Sequence, residues 1–208
     1  MTRIVLIRHG HVEGISPPRF RGRQDVPLTK RGIAEAEAVA SCVARRWQPA
    51  AIYTSPLQRC TATAAAIAAA TGRPQSMLAE LADLDFGLLQ WKTHGEAKAS
   101  YPELFELWFS APQLVRFPNG ESLQDLAGRA ANALREVMAR SPSETVVMVG
   151  HDHINRALLL QVLDQPLSAF WRLSQAPCCI NEFEVTGSLI RVHSINETGH
   201  LAGLRDQP

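Results

Sequence analysis

Cysteine is scarce in this sequence, and a long apolar run is missing. The four cysteines show neither the spacing of metal ligands nor the density of a disulfide framework. No segment approaches the ~18 consecutive apolar residues of a membrane-spanning helix, and the apolar run near Met1 is too short for a signal peptide. We therefore expect a cytoplasmic protein with no membrane partner and no metal site built from cysteine.

An excess of charge of one sign is also missing. The chain carries 21 Lys and Arg against 20 Asp and Glu, a formal net charge of +1. This balance gives no reason to expect a nucleic acid or an anionic membrane as a partner, so any affinity for anions must come from a few cations placed close together. The 208 residues show neither an internal repeat nor a linker, which predicts a single domain over residues 1–208.

Two short apolar runs, residues 4–7 and 146–149, are typical of buried strands in a parallel sheet. Each run is followed by a histidine motif, Arg8-His9-Gly10 in the first case and Gly150-His151 in the second. The carboxyl ends of parallel strands meet at one edge of the sheet, where ligands bind in open α/β folds. Adjacent strands lie ~4.8 Å apart, so we expect the two histidines to be neighbours. The glycine of the first motif would allow a tight turn out of the strand.

Arginines accompany these motifs. Residues 11–28 form a long loop, interrupted by glycines and prolines, which carries Arg19, Arg21 and Arg23. Ordered loops of this length are usually functional, so this one is either a solvated basic surface or the lining of an anion site.

Arg59 falls near the start of a predicted helix. Ser55 and Pro56 are typical of an N-cap and of the first helical position, so we expect the helix to begin there. Its free N–H groups and the guanidinium of Arg59 would then point at the same anion.

Together these residues resemble the histidine phosphatase superfamily, which includes the cofactor-dependent phosphoglycerate mutases. The matching motifs follow one another in the family's order: Arg8-His9-Gly10, Pro27-Leu28-Thr29, Ser55–Ala64, Asp83–Gly87, Gly120-Glu121-Ser122 and Gly150–Leu158. The resemblance implies an α/β fold, namely a three-layer α/β/α sandwich with a mostly parallel sheet, helices on both faces and a small helical cap at about residues 88–120.

The resemblance also implies a role for each site residue. His9 would attack phosphorus and become a phosphohistidine. Arg8, Arg59 and His151 would stabilise the phosphoryl oxygens, and Arg21 would be a further phosphate ligand. The partner would be a small phosphorylated metabolite, with no metal or other cofactor, and we allow for a homodimer.

The general acid is where the sequence departs from the family, which usually has a glutamate three residues before the Phe-Gly pair. Asp83 occupies that position, with Glu80 and Asp85 as alternatives. We favour Asp83 as the group that protonates the leaving alkoxide and then deprotonates water, a role that requires a raised pKa. A second departure lies at Val12 and Ile15, where the family often has a threonine and a phosphate-contacting asparagine.

Other functions remain open beside a metal-independent phosphatase. A phosphoglycerate mutase-type transferase would carry a longer insertion before the second histidine than this chain has. A metal-binding hydrolase would use His9, His11, His151 and His153, although strand-end side chains diverge and the arginines would repel a cation. A weakly active phosphate-binding protein is the third alternative.

The substrate is not readable from the sequence. An aromatic cluster in the predicted cap either packs the cap internally or forms an apolar wall for a non-sugar or nucleoside-like leaving group; it comprises Trp91, Phe105, Trp108, Phe109 and Phe117.

Overall fold

The computed structural model describes residues 1–204, so the last four residues of the predicted domain lie outside the described part. A six-stranded sheet forms its centre, with the strand order β3-β2-β4-β1-β5-β6. The strands are β1 (Thr2–Arg8), β2 (Ala51–Thr54), β3 (Gln75–Met77), β4 (Thr145–Gly150), β5 (Ile180–Thr186) and β6 (Leu189–Glu197). β3, β2, β4 and β1 are parallel, whereas β5 runs antiparallel to both of its neighbours.

Helices cover both faces of the sheet. They are α1 (Lys30–Arg46), α2 (Gln58–Thr71), α3 (His94–Ser100), α4 (Pro102–Ser110), α5 (Leu123–Arg140) and α6 (Asp152–Val162). Side chains of β1 alternate between two cores: Ile4 and Leu6 pack with α5 and α6, and Val5 and Ile7 pack with α1 and α2. The predicted three-layer α/β/α sandwich with a mostly parallel sheet is confirmed.

The short helices α3 and α4 lie within the segment expected to form a cap. Thr93 and Glu96 form a reciprocal capping box at the start of α3, and Pro102 occupies the first turn of α4. Within residues 1–204, no helix is both long enough and apolar enough to cross a membrane.

The start of α2 differs from the prediction. The helix begins at Gln58 rather than at Pro56, and Ser55 does not cap it. The hydroxyl of Ser55 lies instead 2.8 Å from Nε2 of His151, at the edge of the sheet. The backbone N–H of Gln58 donates to the carboxylate of Asp25 at 2.8 Å, so a side chain from the arginine loop occupies this N–H of the helix.

The loop after β1 crosses α1 at two glycines. A Cβ atom on Gly10 would lie 2.4 Å from the carbonyl oxygen of Gly32, and a Cβ on Gly32 would lie 2.1 Å from that of His11. Neither glycine has a positive φ. Close approach of the two backbones, and not only the predicted turn, therefore requires glycine after His9.

We expect Gly32→Ala to lower the free energy of unfolding by about 1–3 kcal/mol, because the added methyl group must push the His11 backbone away. Gly128→Ala is the matched control, since a Cβ at this exposed position in α5 would meet nothing within 4 Å. Alanine is the better helix former, so the control should gain about 0.5–1 kcal/mol. Urea unfolding measures both, and equal stability of the two variants would contradict the steric explanation.

Candidate active site

Two histidines meet at the carboxyl edge of the sheet. β1 and β4 pair in parallel with Arg8 opposite Gly150, so His9 and His151 are the next residues on adjacent strands. Their ring centroids are 5.2 Å apart and their planes are inclined by 63°. Both side chains are buried. The two histidines are therefore neighbours, as the sequence predicted.

The hydrogen bond of His9 selects its tautomer. Nδ1 lies 2.7 Å from the carbonyl oxygen of Gly10. A carbonyl oxygen only accepts, so Nδ1 carries the proton and Nε2 keeps a free electron pair. Burial, with the positive charges of Arg59 and Arg8, holds the pKa of His9 well below its usual value, so the ring is neutral at pH 7.

His151 is held from both sides. The Nε–H of Arg59 donates to its Nδ1 at 3.1 Å. An arginine N–H only donates, so Nε2 of His151 carries the proton and donates to the hydroxyl of Ser55 at 2.8 Å. Burial and the charge of Arg59 place the pKa of His151 well below its usual value. Both imidazoles are therefore neutral.

Arg59 is fully buried and joins several parts of the chain. Besides its bond to His151, it donates to the carbonyl oxygens of Gly22 at 2.6 Å and Gln24 at 2.7 Å. Its Nη2 lies 3.8 Å from Oδ2 of Asp83. These contacts fold the arginine loop over the paired histidines.

Two further guanidinium groups lie at the site. Arg8 donates to the carbonyl oxygen of Gln175 and lies 3.7 Å from the carboxylate of Asp152, yet its buried Nε–H has no hydrogen-bond partner among the described residues. Arg21 donates to the carbonyl oxygen of Gly14. Burial and the charge of Arg8 lower the pKa of Arg21 to about 10, which indicates that cations are crowded here.

Arg19 and Arg23, the other two arginines of the loop, bind groups outside the site. Arg19 donates to the carbonyl oxygen of Trp91 and lies over its ring, with 5.1 Å from the guanidinium carbon to the ring centroid. Arg23 pairs with Glu121 at 2.9 Å and with Asp85 at 3.8 Å. Of the three loop arginines, Arg21 is thus the one whose charge acts on His9.

Asp83 is the carboxylate that the structure brings to this group. Its Oδ1 accepts from the backbone N–H of Leu84 at 3.0 Å and from Nδ1 of His153 at 3.1 Å. Burial favours a higher pKa for Asp83, but His153 and Arg59 outweigh burial and lower that pKa. The expectation of a raised pKa is therefore wrong, because the hydrogen bond to His153 and the charge of Arg59 stabilise the ionised form.

The alternative acids lie outside the group. Asp85 accepts from the backbone N–H of Gly87 at 2.9 Å and faces Arg23. Glu80 is bound through its backbone carbonyl oxygen, which accepts from Arg129 at 2.8 Å. The structure thus separates Asp83 from both alternatives.

Sequence reasoning missed the residues that support Asp83. Arg129 donates to the carbonyl oxygens of Ala82 at 2.8 Å and Asp83 at 3.1 Å, and its guanidinium also binds the carboxylate of Glu121. The sequence pattern suggests His153 only as a metal ligand and gives Asp152 no role at an anion site. A signal existed for these last two, since both follow His151 directly at the start of α6.

A pocket of about 230 Å³ opens beside the site. Its polar lining includes Arg8, Arg21 and His153, while Ile15 and several aromatic rings form an apolar wall. Among the five cap aromatics, Trp108 and Phe109 reach the pocket. The other three do not line this pocket, so two of the five rings form part of its apolar wall, and the wall's role toward a leaving group stays a prediction. Ile15 replaces the family's asparagine with apolar surface.

The four histidines of the alternative metal site do not form one group, although His9 and His151 are neighbours. His11 lies 3.0 Å from the hydroxyl of Thr29, and His153 is paired with Asp83. Within the part of the chain that the structure describes, no group of three His, Cys, Asp or Glu side chains is arranged to hold a metal ion.

Comparison with known proteins places this geometry in context. The sequence model of the histidine phosphatase superfamily (branch 1) matches residues 4–198. Phosphoserine phosphatase 1 of Hydrogenobacter thermophilus is 33% identical over 171 residues, which cover 82% of this chain and 81% of that protein. The bifunctional protein Rv2228c of Mycobacterium tuberculosis is 32% identical over 202 residues; they cover 96% of this chain but 55% of that protein, so the chain spans about half its length.

A solved structure has the same architecture. Bacillus stearothermophilus YhfR superposes with a TM-score of 0.92 at 28% sequence identity, and the match covers 97% of this chain and all of that one.

The neutral histidines predict how stability depends on pH. The unfolded chain takes up histidine protons near pH ~6.5, whereas folded His9 and His151 resist protonation, so the free energy of unfolding should fall below that pH by up to about 1.4 kcal/mol per pH unit for each. His11, His94 and His200, whose pKa values are also lowered, add to the same window. Loss from Asp83 and Asp152 begins only below pH ~4.

Urea unfolding at several pH values in a phosphate-free buffer tests this prediction. The double variant His9→Gln/His151→Gln should show a shallower loss between about pH 6.5 and 5 than the unchanged protein. An identical slope in the two proteins would show that these rings are not held neutral.

Proposed function

Because the chain belongs to the histidine phosphatase superfamily, we propose that it is a metal-independent phosphatase that hydrolyses a small phosphorylated metabolite through a phosphohistidine on His9. One observation carries the proposal: two neutral imidazoles, 5.2 Å apart, lie among buried guanidinium groups. This combination would supply an imidazole nucleophile and the positive charge needed to bind the phosphoryl group that it attacks. The match to a relative named phosphoserine phosphatase 1 supports hydrolysis as the reaction.

His9 is the nucleophile in this proposal. Its Nδ1–H is engaged by Gly10, so the electron pair on Nε2 is free to attack phosphorus in line with the leaving oxygen. The proton on Nδ1 stays in place during the attack, and its carbonyl partner stabilises the positive charge that develops on the ring.

The arginines bind the phosphoryl group. The buried Nε–H of Arg8 has no partner among the described residues, so a phosphate oxygen would satisfy it. Arg59 has five N–H groups, of which three are used by Gly22, Gln24 and His151, so it retains donors for the substrate. A donor aimed at developing charge contributes ~10²–10³-fold to the rate in comparable sites.

Asp83 belongs to the proton-transfer step. An alkoxide leaving group needs a proton, and the water that later attacks the phosphohistidine must lose one. Asp83 is the acidic residue that contacts both Arg59 and His153, so we assign it to this step together with His153. The cytoplasmic location, the homodimer and the absence of nucleic-acid partners stay predictions.

The assignment of His9 is tested by trapping the intermediate. Rapid acid-free quenching after mixing with a ³²P-labelled phosphomonoester in EDTA should give a labelled, acid-labile phosphoprotein. His9→Ala should abolish both the label and turnover, because Nε2 of the adjacent His151 is already engaged by the hydroxyl of Ser55. Screening substrates that include L-phosphoserine identifies the leaving group.

His193→Ala is the control, since this histidine lies on β6 and pairs with Glu184, away from the site. It should label normally. Labelling that survives in His9→Ala but disappears in His151→Ala would reverse the two roles. Activity that EDTA removes would favour the metal-binding alternative, and binding of inorganic phosphate without turnover of any phosphomonoester would favour the weakly active phosphate-binding protein.

A further inference from the structure

His153 connects the buried carboxylate to the pocket. It lies in the first turn of α6, two residues after His151. Its Nδ1 is 3.1 Å from Oδ1 of Asp83, and its ring lines the pocket, whereas Asp83 does not. Asp83 is only 3% exposed. A leaving group in the pocket therefore meets the imidazole of His153 before it meets the carboxylate.

Donors bind one oxygen of the Asp83 carboxylate, and a guanidinium faces the other. Oδ1 accepts hydrogen bonds from Leu84 and His153, and Oδ2 faces the guanidinium of Arg59 at 3.8 Å. These contacts stabilise a carboxylate, which agrees with the lowered pKa of Asp83. A carboxylate that is ionised at neutral pH cannot protonate an alkoxide, so the site needs another donor.

Aromatic side chains hold the ring of His153 in one orientation. The ring stacks on Phe170 with centroids 6.1 Å apart and an interplanar angle of 9°. Phe86 meets it edge-on at 5.1 Å, and Trp108 and Trp171 lie within 6.4 Å. With Nδ1 bound to Asp83, Nε2 lies on the opposite side of the ring.

We propose that His153 is the general acid and base of the reaction, and that Asp83 is the positioning residue that holds the ring and balances its charge. The inference rests on the proposed phosphatase function. It adds a catalytic residue and changes the role of Asp83 from proton donor to fixed carboxylate.

The two steps balance as follows. Nε2 of His9 forms a bond to phosphorus while the bond from phosphorus to the leaving oxygen breaks, and that oxygen takes the proton from Nε2 of the His153 imidazolium. Water then attacks phosphorus, the bond to His9 breaks, and neutral His153 takes one proton from the water. Phosphate leaves, His9 is neutral again, and His153 is again an imidazolium.

Several charged groups face His153. Asp83 from the loop after β3 accepts from its ring, and Asp152 from its own helix is a second carboxylate nearby. His151 is neutral, and the charge of His153 helps to keep it so. The opposing cations are Arg59, which faces Asp83, and Arg8, which faces Asp152.

His153→Asn is the decisive variant, because the asparagine amide can still donate to Asp83 but has no group at the position of Nε2. We expect kcat/KM for an alkyl phosphate such as glycerol 2-phosphate to fall by ~10²–10⁴-fold. The loss for p-nitrophenyl phosphate should be far smaller, because its phenolate leaves without a proton. The alkaline limb of the alkyl phosphate pH profile should disappear.

Two results with His153→Asn would overturn the proposal. Retention of the alkyl phosphate rate and of the alkaline limb would return the acid role to Asp83. Equal losses on both substrates would assign a purely structural role to His153. His153→Gln repeats the test with a different side-chain length, and thermal unfolding shows whether either variant folds.

Asp83→Asn is a second variant that distinguishes a general acid at position 83 from a residue that only positions His153. If His153 is the acid, this variant keeps an alkaline limb, displaced to lower pH because the imidazolium has lost its counter-charge. If Asp83 itself donates the proton, the limb vanishes. Phosphoprotein trapping with p-nitrophenyl phosphate accompanies both variants: a phosphohistidine that forms in His153→Asn supports the phosphatase chemistry, whereas its absence from the unchanged protein would overturn the proposed function itself.

Discussion

The buried guanidinium of Arg59 is the group on which the rest of the site depends. A charge removed from water costs several kcal/mol unless its donors are satisfied, so the fold must bring acceptors to it. Those acceptors come from distant segments: the carbonyls of Gly22 and Gln24 in the arginine loop, Nδ1 of His151 after β4, and the carboxylate of Asp83 after β3. When these groups contact Arg59, the arginine loop closes over the site, one tautomer of His151 is selected, and the position of Asp83 is set.

Positive charge is in excess around the paired histidines. Arg8, Arg21 and Arg59 crowd together, and the carboxylates beside them, Asp83 and Asp152, are shared with other cations. The excess lowers the pKa of both imidazoles and leaves a donor of Arg8 unsatisfied. In the proposed reaction, a phosphoryl dianion would offset this excess of positive charge. The same crowding would then keep His9 neutral for attack and bind the group that it attacks.

In the mechanism that we propose, the shorter acidic side chain at position 83 changes how protons reach the pocket. Asp83 stays buried, anchored through its backbone by Arg129 and through its carboxylate by Leu84 and His153. His153 is next to the catalytic strand end and extends from this carboxylate to the pocket wall. The proposal therefore explains two features together. Asp83 replaces the family's glutamate, and His153 follows His151, because the two side chains act as a pair.

The sequence alone determined the sheet edge and its histidines, because apolar strand runs and the residues that directly follow them are local patterns. The family resemblance carried by those motifs also implied the three-layer fold and named Arg8, Arg21, Arg59 and Asp83 as site residues. Only the tertiary structure decided that Asp25 binds the first N–H of α2, that Gly10 and Gly32 touch, and that Asp83 pairs with a histidine 70 residues away. Buried polar groups compete for a limited set of partners, and that competition is resolved only when distant segments pack together.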